Sequence, residues 1–263
     1  MKYLVLLFLP SAFFISTQHA ISQKRDTITI TASNINHNAV KYGEVSYLVY
    51  NKKTKESAAT SFYVANMIVA PIMYKGQPAI AITQKWDARD TIAHTAYTVL
   101  QSSDLSTLFH ETSWMRLPYS TKFDFAARKV SFDGTISDSS RRKIEEAFNE
   151  SFEQYNLNWH SDLFIFTALP FKENCSFKIN FYDPGFGKPQ EVVYDITGSE
   201  LLPTFSGKKI DCWVMECKYA GNDYQRFWID KKNKVVVKEE DLFNSRYRYK
   251  IKLEVAENSH HVD

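Results

Sequence analysis

Alternation of apolar and polar residues with period two, cut into short pieces by turn signals, runs through most of this 263-residue chain. That pattern restricts it to a sheet-dominated fold. The first group of pieces is residues 27–32, 42–50, 61–74, 79–86, 94–100, 108–116, 122–125 and 128–132. The second is residues 176–182, 191–197, 209–219, 224–230, 235–242 and 246–255. Lys75-Gly76-Gln77-Pro78, Asp133-Gly134, Gly221-Asn222 and Lys232-Asn233 supply tight turns between them. So many antiparallel strands would curl rather than form one flat sheet. Aromatic residues make up 15% of the chain, and Phe and Tyr suit half-buried pleated surfaces.

The period changes once, past the middle. Ile144, Ala147, Phe148, Phe152 and Tyr155 recur at helical spacing, which predicts a helix over 141–154 with its N-cap in Asp138-Ser139-Ser140. Glu145 and Glu146 fall in its early turns, where the helix dipole favours acids. Residues 161–169 follow, closed by Pro170. Their centre, Leu163-Phe164-Ile165-Phe166, is apolar all round, as in a short helix buried on every side. A buried strand has the same composition, and periodicity does not separate the two. The expected fold is mainly β: a single strongly curved antiparallel sheet, a half-barrel, wrapped around one or two helices. One domain is expected over 23–257, with its helical insertion near 138–169 and a disordered tail over 258–263.

Lys2, the uncharged apolar run 3–15 and Ala20-Ile21-Ser22 have the order of a secretory leader, expected over 1–22 with cleavage after Ser22. The run is too short for a spanning helix. The mature protein is therefore expected in the periplasm with no transmembrane segment. No cysteine sits near the expected cleavage after Ser22, which argues against a lipid-anchored form. Lys2 is the leader's only charge, so the mature chain sits near +1 against +2 for the whole. That balance excludes nucleic acid as the natural partner, because phosphate binding needs a basic surplus. At 44% hydrophobic and 24% charged, the chain is ordinary for a folded domain.

No chemical motif survives inspection. His160-Ser161-Asp162 sets three catalytic residue types side by side, but a triad needs converging geometry, not adjacency; Ser161 or Asp162 reads better as a helix N-cap. Gly185-Phe186-Gly187-Lys188 lacks the spacing and following helix of a phosphate loop, and Pro189 makes it a turn. The histidines, His19, His37, His94, His110, His160, His260 and His261, show no ligand spacing. No enzyme activity, metal or cofactor is expected. Cys175, Cys212 and Cys217 are an odd set, so at least one thiol stays free. Cys212 and Cys217 lie five apart in one strand, on opposite faces, and cannot pair; Cys175 could reach either. Buried small apolar residues are the simpler reading, since no His or acid stands at ligand spacing.

Two strands carry unusual faces. Arg246, Arg248, Lys250 and Lys252 alternate with Tyr247, Tyr249, Ile251 and Leu253. This basic face is expected to be solvated, its lysines discouraging edge pairing, rather than to contact anionic headgroups or a partner. Residues 61–74 are apolar on both faces, with Phe62, Val64 and Ile68 on one and Tyr63, Met67 and Val69 on the other. Asn66 and Pro71 interrupt them, which argues against a regular interior strand.

A further set of segments resembles a known family. These are Asp162-Leu163 followed by Leu169-Pro170, then Tyr194-Asp195-Ile196-Thr197-Gly198-Ser199-Glu200, Phe227-Trp228-Ile229-Asp230 and Val236-Val237-Lys238-Glu239-Glu240. In that order, after a leader and a strand meander, they resemble the exported bacterial domain-of-unknown-function family 3108. That family is similar in fold to the periplasmic lipoprotein carriers of the LolA/LolB type. The resemblance implies an incomplete barrel whose concave side is plugged by helices, with a hollow that in the carriers takes acyl chains. The expected function is a non-catalytic binding module for a lipid or other apolar ligand. Phe62, Ile68, Ile80, Ile82, Trp159, Phe164 and Phe166 are the expected lining. The alternative is a structural or protein-interaction component of the envelope, which would meet an envelope protein partner.

Overall fold

The computed structural model describes residues 25–204 and 207–254; the expected leader and tail lie outside them. Fifteen strands are found among the described residues. The first half contains β1 (Asp26–Thr29), β2 (Gly43–Lys52), β3 (Thr60–Tyr74), β4 (Gln77–Asp87), β5 (Ile92–Gln101), β6 (Thr107–Trp114), β7 (Tyr119–Asp124) and β8 (Lys129–Gly134). The insertion contains α1 (Asp138–Glu150), β9 (Leu157–Asn158) and α2 (Asp162–Ile165). The second half contains β10 (Cys175–Tyr182), β11 (Gln190–Pro203), β12 (Lys209–Lys218), β13 (Tyr224–Asp230), β14 (Val236–Phe243) and β15 (Arg246–Lys252).

All of them join one sheet. Consecutive hairpins build β2 to β8 and β10 to β15, and β2 pairs antiparallel with β15 to zip the halves together. The sheet stays open: β8 is one edge, and β10 near the other carries only the short β1 and β9. Both of these run parallel to β10, a departure from the all-antiparallel expectation. Short strands at an edge leave few free amide groups for stray pairing. Pro71 is tolerated inside β3 because β2 starts only at Gly43, opposite Val69; past Val69, β3 has a single neighbour.

The insertion connects the two edges and fills the hollow between them. Ser137, one residue before the expected cap, accepts a hydrogen bond from the Ser140 N–H and starts α1. Ile144, Ala147 and Phe148 bury its inner stripe against Phe123 of β7 and Tyr182 of β10. Phe123 and Tyr182 stand near opposite ends of the sheet, yet their ring centres are 6.5 Å apart. The sheet therefore curves until its edges nearly meet, and side chains close the gap. The all-apolar segment is one turn of α2 continued by a 3-10 turn over Phe166–Ala168. Phe164, Ile165, Phe166, Ala168 and Leu169 form the centre of the largest core cluster. It draws on β4, β5, β10, β13 and β14 through Ile82, Leu100, Phe177, Ile229 and Val236.

The three cysteines are free and buried, which settles the open pairing of Cys175 with Cys212 or Cys217: neither forms. Gly185-Phe186-Gly187 is a turn, with the Phe186 N–H donating to the Asp183 carbonyl at 3.0 Å.

Candidate functional site

The concave face is divided along its strands. At one end β4 and β5 present Ile80, Ile82 and Leu100, sealed against the helical plug. Farther along the same face the inward positions become Gln84 and Trp86 on β4, His94 on β5 and Trp114 on β6. The insertion covers this second tier only in part: the His160 carbonyl accepts from Gln84 Nε2, and the His160 ring lies 5.7 Å from that of His94. A cleft of about 470 Å³ opens there, floored by Ala65 and Met67 of β3 and walled by Trp86, Trp114 and Trp159. Its opposite wall carries Asp162 and Leu163 of α2 with Arg248 and Lys250 of β15.

A β-bulge aims the charges. Ile229 stands opposite Val236, while Trp228 stands opposite Lys238, so Val237 is an extra residue in β14. Past the bulge the inward parity passes to Glu239 and Asp241, which share a face with Phe227. Both are fully buried. Lys250 and Arg248 lie directly across the hairpin from them. Lys250 Nζ is 2.6 Å from Glu239 Oε2. Arg248 Nε donates to Asp241 Oδ2 at 2.7 Å, and its Nη2 reaches Glu239 Oε1 at 3.4 Å. The basic face of β15 therefore points inward at Arg248 and Lys250, which corrects the solvated-strand expectation. Buried charge demands a partner in register, and β14 supplies two.

Protons in this cluster are shifted by burial and by mutual charge. Burial, then the Glu239 charge, pushes Asp241 up to about 7. Glu239 moves the other way despite its burial, held down by Lys250 and Arg248. Asp162 rises to about 6, chiefly from burial, against the pull of Lys250. Its Oδ1 accepts from the Leu163 N–H at 2.6 Å. Ser161, the other expected cap, makes no capping bond; Asn158 instead caps the preceding turn by accepting from the His160 N–H at 2.9 Å.

Three histidines meet beside the cleft, from three separate segments. His160 lies 4.6 Å from His110 and 5.7 Å from His94, ring centre to ring centre. His94 stacks on Trp114 at 3.8 Å, and burial pushes it down to about 3. Burial likewise holds His110 well below the ordinary imidazole value, with its Nδ1 hydrogen-bonded to Thr98 Oγ1 at 2.9 Å. His160 Nε2 faces Asp183 Oδ1 at 3.2 Å. No group of His, Cys, Asp or Glu among the described residues is arranged to hold a metal ion.

The expected lining residues separate three ways. Trp159 lines the cleft. Ile80, Ile82, Phe164 and Phe166 lie in the closed core, where protein atoms already surround them. Phe62 and Ile68 point to the convex face and are 55% and 47% exposed. On β3 it is Ala65, Met67 and Val69 that turn inward. Sequence reasoning missed Trp86, His94, Trp114, Arg248 and Lys250. The signal it could have used is the inward parity that Gln84 and Trp86 share with Ile80 and Ile82, two strand positions apart.

Among the described residues the fold is an incomplete β-barrel with a helical plug and an open polar-aromatic cleft. The chain belongs to the family described as protein of unknown function DUF3108, whose model matches residues 46–253. No curated protein sequence matches it. Among solved structures, the chain is similar to the hypothetical lipoprotein YmcC of Escherichia coli at 12% identity and a TM-score of 0.29, over 82% of this chain and 88% of that one. It is also similar to a β-barrel-like DUF1849 protein of Brucella abortus, at 7% identity and a TM-score of 0.34, over 82% and 98%. A putative outer membrane lipoprotein-sorting protein domain of Vibrio parahaemolyticus aligns at 11% identity and a TM-score of 0.25, over 85% and 92%. Among the described residues no helix is long and apolar enough to cross a membrane.

Proposed function

We propose that this is an exported, non-catalytic binding protein whose ligand is a small amphipathic molecule held in the cleft. The observation that carries the reading is the cleft itself. About 470 Å³ lies open between indole rings and buried charge, while the rest of the concave face is filled by the protein's own plug. Ligand sites are concave, largely apolar and carry a few placed polar groups, in the range of about 300–1,000 Å³. An apolar body would lie along Trp86, Trp114 and Trp159, with a polar end toward Asp162 and Arg248. The leader-like residues 1–22 support export. The non-catalytic reading draws on Glu239 and Asp241, two fully buried acids that are engaged by Lys250 and Arg248.

Native mass spectrometry of gently purified protein is the test. A bound small-molecule mass that is lost in Trp159→Ala, with folding unchanged, is the expected result. Repeated recovery of ligand-free protein, together with no change in tryptophan emission on adding amphiphiles, would refute the reading. The interaction reading draws on a different observation: Phe62, Val64 and Ile68 form an exposed apolar strip on the convex side of β3. Crosslinking at Ile68 that recovers one envelope protein would favour it.

A further inference from the structure

We infer that the ligand of the cleft brings a positive charge, an amine or quaternary ammonium group set against Asp162. This deepens the binding reading above and rests on it. The argument is one of leftover charge. Glu239 and Asp241 are matched across the β14–β15 hairpin by Lys250 and Arg248. Asp183 at the mouth has a side chain 38% exposed, so water solvates its charge. Asp162 remains. It is 8% exposed and lines the cleft, yet among the described residues no Lys, Arg or His forms an ion pair with it. Its one hydrogen bond among the described residues is the donation from the Leu163 N–H to Oδ1, and none is made to Oδ2. His94 cannot serve as counter-ion, because burial keeps it neutral.

A buried carboxylate with no counter-ion in direct contact is costly; Lys250 and Arg248 lower that cost from a distance, and a ligand cation at contact distance would lower it further. The opposite wall suits the same group. Indole faces attract cations, more strongly where water is excluded. Lys250 Nζ already sits 5.9 Å from the Trp86 ring centre, so the protein itself uses one such contact. Trp159 is braced from behind by stacking on Phe181 at 5.4 Å and presents itself to the cleft. Arg248 and Lys250 line the same wall, but Glu239 and Asp241 already hold both, whereas Asp162 has no ion-pair partner among the described residues.

Four probes, titrated into the intact protein by calorimetry and tryptophan fluorescence, decide the matter: octyltrimethylammonium, octyl sulfate, octyl glucoside and tetramethylammonium. The expected order places octyltrimethylammonium first, by about thirtyfold over octyl sulfate and octyl glucoside, as for a desolvated charge pair. Asp162→Asn is expected to remove that advantage, bringing octyltrimethylammonium down to the level of octyl glucoside measured in the same variant. Comparable binding of octyl glucoside and octyltrimethylammonium would overturn the charge assignment and leave the binding reading standing. Binding of none of the octyl probes would overturn both. The probe ranking in the unaltered protein decides the question even if Asp162→Asn does not fold. A lipid source is separated from a free amine by incubating the protein with phosphatidylethanolamine vesicles, removing them, and weighing the protein. Retained lipid mass assigns the amine to a lipid headgroup; binding of tetramethylammonium without lipid uptake assigns it to a small free amine.

Discussion

Lys250→Met tests whether the buried ion cluster is as tightly balanced as its geometry implies. Methionine keeps most of the stem's apolar volume, so packing loss is small and the charge is what changes. Lys250 is 9% exposed and Glu239 is not exposed at all, so solvent screening gives little relief. Without Lys250, Glu239 retains only the 3.4 Å approach of Arg248 Nη2, and Asp162 loses its strongest positive neighbour. Removing one partner of a buried pair costs about 3–5 kcal/mol, and the full amount is expected here at pH 8. The deficit should shrink at pH 5. Loss of the cation raises the folded-state pKa of both carboxylates. A raised carboxylate pKa contributes stability at low pH that is lost as pH rises, so acid rescues the variant. Each unit of upward shift at one carboxylate returns about 1.4 kcal/mol. Urea unfolding followed by tryptophan emission at pH 5 and pH 8 measures both quantities. Adding Glu239→Leu to Lys250→Met should recover most of the loss, because it removes the stranded charge. A cost under about 1 kcal/mol at pH 8, or a larger cost at pH 5 than at pH 8, would refute the reasoning.

Phe166→Ala should cost about 3–5 kcal/mol in the same assay, because Phe166 is fully buried between Tyr194 and Phe227 and no neighbour is free to fill the void. In the unaltered protein Asp162 and Asp241 titrate near 6 and 7, above the carboxylate value of 3.8. The folded chain thus holds protons the unfolded chain has released, and these two groups make stability fall as pH rises from 4 to 7. Asp162→Asn with Asp241→Asn should flatten that fall, read from urea midpoints across the window; an unchanged slope would discount the shifts. Ser137→Ala should cost about 1 kcal/mol through loss of the α1 cap, measured by thermal melting. Phe62→Ser with Ile68→Ser should leave stability within about 1 kcal/mol, since both face outward, whereas a core location would make the pair unfold the protein.

The local elements were legible in the sequence because alternation and helical spacing are local signals. The segment 94–100 became Ile92–Gln101, 79–86 became Gln77–Asp87, and the helical stripe Ile144, Ala147 and Phe148 is the buried face of α1. The buried plug was legible too, since Leu163-Phe164-Ile165-Phe166 has no polar side to offer water. Period two, however, says only that a strand has two faces, and β3 is apolar on both. Which face turned inward was decided by its pairing with β2 and β4, and Phe62 and Ile68 went outward. The bulge at Val237 is a change of parity that no residue type announces, yet it turned Glu239 and Asp241 into the core. The β2–β15 pairing joins residues about two hundred positions apart, and no local pattern encodes it. Folding then set Asp162 and the ring of His160 against β5, β6 and β15. The sequence by itself determined a β half-barrel with a helical plug. Only the tertiary structure decided where the plug stops, and so where the cleft begins, because a cleft is the space left by contacts between distant segments.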